Sequence, residues 1–394
     1  MGNIVDYIAE YGDRTIDELA FNEVDSLILS QFSYLKFDRI LNRDGQEREM
    51  SVGDLPDDAE YEELYADARF EKVNRELLTA MIASRRFAQV ALHDYVNIVD
   101  PKWEIQFSAI TCVFENGFVY VAFRGTDETL TGWKEDFNMA FMTPVPAQTK
   151  AVQYLNMAAS RVGGEITVGG HSKGGNLAVY ASMMCNPSVR DRITDIYSHD
   201  GPGFAEGVLE SKEFDIIRDR IRKTVPGSSV VGMVLQTQEN YEVVRSRNIG
   251  LLQHNPFNWV VDGVAFKKEA GINRRAYVKD VSVNRWIAGM SNEKRQEFVE
   301  ILFEIIRGSG VNDLNDLKDE PVAAGKGIMD TLQAMDDEEV EVLAGIIKDI
   351  ANTMKDTVKE YVSGMVDEEV EKYKAIYDKA ITKINGFIKG DLGL

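Results

Sequence analysis

Ile166-Thr167-Val168-Gly169-Gly170-His171-Ser172-Lys173-Gly174-Gly175-Asn176-Leu177-Ala178-Val179-Tyr180-Ala181 decides the fold. A short β-branched run reads as a strand, and the residues from 174 to 184 read as a helix. Between them Gly170-His171-Ser172-Lys173-Gly174 fits G-x-S-x-G. A serine set between glycines on a strand-to-helix turn is the pattern of a nucleophile elbow. Gly170 and Gly174 leave room for strand and helix to approach. The turn lifts the Ser172 hydroxyl above the sheet edge and aims the N–H of Lys173 at the place where an oxyanion forms.

Strand and helix patterns alternate on both sides of the elbow. Trp103–Thr111 alternates as a half-buried strand, Glu115-Asn116-Gly117 reads as a hairpin turn, and Phe118–Phe123 as the returning strand. A helix is expected over about 148–161, with strands at 193–198, 222–225 and 241–244. This order predicts an α/β fold with a mainly parallel central sheet covered on both faces. Upstream, residues 1–43 and 76–98 read as helical, which would put His93 on a helix. Residues 44–75 are rich in Asp, Glu and Gly and read as a solvated loop with some helix.

Beyond residue 290 the strand signals stop. The expected division is a main domain over 1–315, including the N-terminal helices, and a helical C-terminal region over 316–394. There Ile346, Ile347, Ile350, Met354, Val358 and Val362 recur at helical spacing between charges. They read first as packing within the chain, with self-association through these helices as the alternative.

A serine needs a base. Of the four histidines, His171 lies inside the elbow, His93 lies upstream, and His199 closes a strand. His254 lies downstream of the last strand-like run, where the chain order serine, acid, histidine puts the base. Asp200, directly after a strand and in the rigid turn Asp200-Gly201-Pro202-Gly203, is the favoured acid, with Glu239 and Asp262 as alternatives. No metal or organic cofactor is required by such a site. Phe137, Met139, Phe141 and Met142 read equally as an acyl pocket or as core.

Composition narrows the partners. Lys and Arg number 44 against 65 Asp and Glu, for a formal net charge of −21. Such a chain is repelled by phosphate backbones and anionic surfaces, which argues against nucleic-acid binding. Cys112 and Cys185 make no disulfide framework and read as small core residues. No run approaches the ~18 apolar residues of a membrane span, so no stable membrane insertion is expected. The N-terminus lacks a basic start followed by an apolar stretch, and a cytoplasmic location is the expectation.

Val121-Ala122-Phe123-Arg124-Gly125-Thr126, then Trp133 and Asp136, then Gly170–Gly175 resemble the class 3 lipases, which carry F-R-G-[ST], W-x-x-D and G-H-S-x-G-G. From about 20 to 310 the chain resembles more closely the bacterial Mbeg1-like family, a lipase-like group, and His254–Trp259 matches its closing H-x-P-F-x-W. The tail beyond about 315 is not covered. The resemblance implies an α/β-hydrolase fold with a helical C-terminal extension, and a serine esterase or lipase acting on small-molecule or lipid esters. It also implies Thr126 as the second oxyanion donor beside Lys173, with Trp133 and Asp136 steadying that loop. A thioesterase, an amidase or a non-catalytic scaffold on the same fold are the alternatives. One departure stands out: class 3 lipases carry their acid one strand later, near Pro226-Gly227-Ser228-Ser229, where this chain has no carboxylate. Either Asp200 has taken that role, or the site is a dyad, or catalysis is impaired.

Overall fold

The structure, a computed structural model, describes residues 1–308 without 42–49, 57–63, 66–69, 128, 206, 230, 236–239, 249 and 273–288, and also residue 345. The chain divides into two compact units, Met1–Asn273 and Arg274–Leu394. In the first unit the helices are α1 (Ile4–Tyr11), α2 (Glu23–Phe32), α3 (Asp38–Leu41), α4 (Glu71–Ala83), α5 (Leu130–Asn138), α6 (Pro146–Arg161), α7 (Lys173–Met184), α8 (Pro187–Arg190) and α9 (Lys212–Ile217). The second unit contributes α10 (Asn292–Gly308). The C-terminal stripe from Ile346 to Val362, and the boundary expected near 315, lie outside the described residues.

Eight strands form one sheet in sequential order: β1 (Met50–Ser51), β2 (Ala91–Asp100), β3 (Ile105–Val113), β4 (Val119–Phe123), β5 (Ile166–His171), β6 (Ile193–His199), β7 (Ile221–Pro226) and β8 (Glu242–Val244). The pairs β1–β2, β2–β3 and β3–β4 are antiparallel; β4 through β8 run parallel. This is the α/β-hydrolase architecture, a largely parallel sheet between helical layers.

Strand β4 shows why the sheet is buried on both faces. Tyr120 and Ala122 enter one core with Leu27, Ile28 and Phe32 of α2. Val119, Val121 and Phe123 enter the other with Leu155 of α6 and Leu177 of α7. The two-residue period splits the strand between two apolar layers, so it reads as an unbroken apolar run. Burying each large side chain of this kind contributes roughly 1.5–3 kcal/mol.

One sequence expectation needs correction. Residues 91–98 are strand, and His93 lies on β2 rather than on a helix. The register shifts between His93 and Val96, and Asp94 there has φ 57°. This irregularity breaks the period-two alternation by which a strand is recognised. In the acidic stretch at 44–75 the described residues hold the edge strand β1, a short 3-10 turn, Val52–Asp54, and the start of α4 at Glu71, in keeping with the helix expected there.

The N-terminal helices are fastened by one buried cation. Arg86 pairs with Asp25 through both carboxylate oxygens, and both side chains are fully buried. Its remaining N–H groups donate to the carbonyls of Arg14, Thr15, Leu19 and Ala20.

Candidate active site

Strand β5 ends at His171 and α7 begins at Lys173, which leaves Ser172 alone at the turn with φ 58° and ψ −133°. A non-glycine residue holds such a backbone only when its surroundings enforce it. Here the Ser172 N–H donates to the His199 carbonyl at 2.9 Å, and the Ser172 carbonyl accepts from the Gly175 N–H at 2.9 Å. The flanking glycines are sterically required. A Cβ on Gly170 would lie 2.3 Å from the carbonyl carbon of Gly174, and one on Gly174 would lie 2.1 Å from the Phe123 oxygen. Lys173 opens α7, so its N–H has no carbonyl of its own helix to bond.

Asp200 follows β6 directly, with φ 51°. Its N–H donates to the Thr224 carbonyl at 2.7 Å, which turns the side chain inward, where it is fully buried. Oδ2 accepts from His254 Nδ1 at 2.7 Å. Oδ1 accepts from the Ser229 hydroxyl and from the Gly232 N–H at 3.2 Å. Ser229, in the turn after β7, thus holds a carboxylate supplied from the neighbouring strand β6. Because a carboxylate only accepts, His254 Nδ1 carries the proton of this bond, and in the neutral ring the lone pair lies on Nε2.

His254 ends the 3-10 stretch Gly250–His254, and several bonds pin that loop. Trp259 Nε1 donates to the Gln253 carbonyl at 2.8 Å, and Gln253 Nε2 donates to the Asn248 carbonyl at 2.6 Å. His171 lies against it, ring centroids 4.5 Å apart, with Nε2 donating to the His254 carbonyl at 2.8 Å. The carbonyl cannot donate, so in the neutral ring His171 Nδ1 is the acceptor of the Tyr34 hydroxyl at 3.3 Å.

After β4, Thr126 is buried and its hydroxyl donates to Asp136 on α5. Lys173 is buried as well. Its Nζ donates to Gln106 O at 3.0 Å and Glu135 Oε2 at 3.1 Å, and lies 3.8 Å from Asp136 Oδ1. Glu135 also accepts from the N–H groups of Gln106 at 3.0 Å and Ala147 at 2.7 Å. One charged network thereby joins the residue after the serine to the helix that holds Thr126. The Asp136 side chain keeps 27% exposure, yet its Oδ1 is buried, and burial pushes the carboxyl up to about 6 against the opposing pull of Lys173.

The remaining candidates fall elsewhere. His199 is fully buried, its Nε2 bonded to Ser26 Oγ at 2.9 Å and its Nδ1 to Thr224 Oγ1 at 2.8 Å, and burial drives it down to about 3, so it stays neutral. His93 lies on β2. Asp262 is exposed at the surface, and Glu239 lies outside the described residues. Met139 is core, whereas Phe137 and Met142 are 38% and 40% exposed. Burial pushes the Cys112 thiol up to about 12 and the Cys185 thiol up to about 11, as expected of inert core residues. Among the described residues no His, Cys, Asp and Glu group is arranged to hold a metal.

The residues that the pattern does not single out are Tyr34, Gln106, Glu135 and Ser229. Their roles come from contacts across wide sequence separations. The nearest local signal is the position of Glu135 beside Asp136 in the W-x-x-D segment.

A cavity of about 370 Å³ opens beside this cluster, bounded by His254, His171 and Tyr34. Among solved structures, one described as "Crystal structure of M37 lipase" is similar over 54% of this chain and 70% of that one, at 14% identity and a TM-score of 0.35. No curated protein sequence matches. The family model described as Mbeg1-like matches residues 81–304, more than half of the chain and the whole stretch from β2 through the elbow, Asp200 and His254. The chain belongs to the Mbeg1-like family.

Proposed function

We propose that the chain is a serine hydrolase that cleaves carboxylic esters through an acyl-enzyme. The observation that carries this reading is the 2.7 Å bond between His254 Nδ1 and the buried Asp200 carboxylate. It fixes the imidazole in the tautomer that exposes a basic Nε2, on the loop against which the nucleophile elbow packs. Asp200 orients the ring and stabilises its charged form.

Ser172 Oγ attacks the ester carbonyl as His254 Nε2 takes the hydroxyl proton. The tetrahedral oxyanion is held by the N–H groups of Thr126 and Lys173. The Thr126 hydroxyl is occupied by Asp136, so its contribution is through the main chain. Collapse expels the alcohol, which receives the proton from His254. Water, deprotonated by the same nitrogen, then releases the acid and restores Ser172. A thioester or amide would be cleaved by the same steps. No described helix is long and apolar enough to cross a membrane, and we read the chain as a cytoplasmic enzyme.

The experiment is hydrolysis of p-nitrophenyl esters from acetate to palmitate by the wild type, Ser172→Ala and His254→Ala, with fluorophosphonate labelling alongside. Turnover and labelling lost in Ser172→Ala, and turnover lost in His254→Ala, are expected. Activity surviving in Ser172→Ala, or none in the wild type together with no labelling, would sink the reading in favour of a scaffold on a hydrolase fold.

A further inference from the structure

We infer that the buried His199 is a positioning residue of this site: its carbonyl holds the Ser172 turn, and its imidazole holds the strand end to which the Asp200 turn is tied. This rests on the ester-hydrolase reading and deepens it by giving a role to a histidine outside the Ser172, His254 and Asp200 set.

Ser172 and Asp200 both stand in strained backbone, at φ 58° and φ 51°. Such a conformation persists only where neighbouring groups over-determine it. Each is tied through its own N–H, Ser172 to the His199 carbonyl at 2.9 Å and Asp200 to the Thr224 carbonyl at 2.7 Å. His171, His199 and Thr224 stand in register across β5, β6 and β7, so the two ties run to neighbouring strand ends. The placing of the nucleophile against the acid therefore depends on the placing of His199 against Thr224.

The imidazole joins those two residues. Nδ1 bonds Thr224 Oγ1 at 2.8 Å, and Nε2 bonds Ser26 Oγ on α2 at 2.9 Å. Ser26 Oγ also bonds the Tyr120 hydroxyl at 2.8 Å, which bonds Ser30 Oγ at 3.0 Å. A buried row of polar groups thus links α2, β4, β6 and β7. The same ring stacks on Tyr197, centroids 5.8 Å apart, and meets Trp259 edge to face at 6.1 Å. Trp259 in turn bonds the Gln253 carbonyl, one residue before His254. Both nitrogens of His199 are occupied inside the protein, so the ring moves no proton in the reaction and supplies geometry alone. Geometry matters at this scale, because a reacting group misplaced by about 1 Å can cost on the order of 100-fold in rate.

The test is steady-state hydrolysis of one p-nitrophenyl ester by the full chain, with kcat expressed per site labelled to completion by a fluorophosphonate. Counting labelled sites removes the effect of protein that has merely unfolded. His199→Phe keeps a ring and removes both nitrogens. Thr224→Val removes the hydroxyl at nearly the same shape, and Thr224→Ser keeps it. The expected kcat per site falls about 10- to 100-fold in His199→Phe and about three- to tenfold in Thr224→Val, with KM changed less and Thr224→Ser close to wild type. If His199→Phe does not fold, the two Thr224 variants decide alone. A wild-type kcat per site in Thr224→Val, or an equal loss in Thr224→Ser, overturns the inference, while Ser172-dependent turnover by the wild type leaves the hydrolase reading standing. A wild type that neither turns over nor labels removes both.

Discussion

His171 donates from Nε2 to the main-chain carbonyl of His254, one imidazole holding the backbone of the other at 2.8 Å. His254 is thus fixed twice, through its ring by Asp200 and through its peptide by the elbow itself. His171→Phe keeps the ring and removes the N–H, leaving the carbonyl without its donor. The expected result is a kcat lowered about 10- to 100-fold, with KM changed less, since losing such a bond costs roughly 1–3 kcal/mol. A wild-type kcat in steady-state ester hydrolysis would show that the contact does not position the base.

Ser172 is held at φ 58°, a conformation that L side chains adopt only under constraint. Glycine adopts that conformation freely, so Ser172→Gly should stabilise the fold by about 1 kcal/mol while abolishing turnover. Thermal unfolding read beside activity checks this, and a lower Tm for the glycine variant would contradict it.

Lys173 and Glu135 are a fully buried ion pair. Lys173→Met leaves the carboxylates of Glu135 and Asp136 without their cation and should destabilise by about 3–5 kcal/mol. Adding Glu135→Gln should recover part of the loss. Denaturant unfolding of the single and double variants measures the coupling, and simple additivity would argue against it.

Asp136 sets an acidic pH dependence of stability. Its carboxyl is raised in the folded state from an ordinary 3.8 to about 6. The folded chain therefore binds the proton more tightly than the unfolded chain. This group's contribution is most favourable below 3.8 and is lost as pH rises through 6, by at most about 3 kcal/mol. Asp136→Asn removes that slope. Stability curves between pH 4 and pH 7 for the two proteins should converge toward the acid end; parallel curves would refute the assignment.

Ser172 and its strand and helix are legible because an elbow compresses its geometry into five consecutive residues. Asp200 is legible because a carboxylate at a strand's end stands beside the next strand's turn. Its partner Ser229 is not, because a serine after β7 carries no local mark of the carboxylate it bonds 29 residues upstream. The Lys173 side chain is read wrongly by any rule that sends lysine to the surface, since its partners lie 38 and 67 residues away. The strand holding His93 is hidden by its irregular register. Tyr34 is the hardest, for it reaches the site from 137 residues upstream of His171 through a hydroxyl no motif encodes.

The first unit also closes on itself. The Gly2 N–H donates to the Val261 carbonyl at 3.2 Å, and the Val261 N–H donates back to Gly2 at 2.9 Å. A chain emerging from the ribosome cannot fix its elbow until residue 199 is free, because the Ser172 N–H bonds the His199 carbonyl, and His254 follows 55 residues later. The bridge to Gly2 cannot form until seven residues later. Contacts so remote make folding slow, and the 82 residues from Ser172 to His254 must be made before the two can lie in one fold.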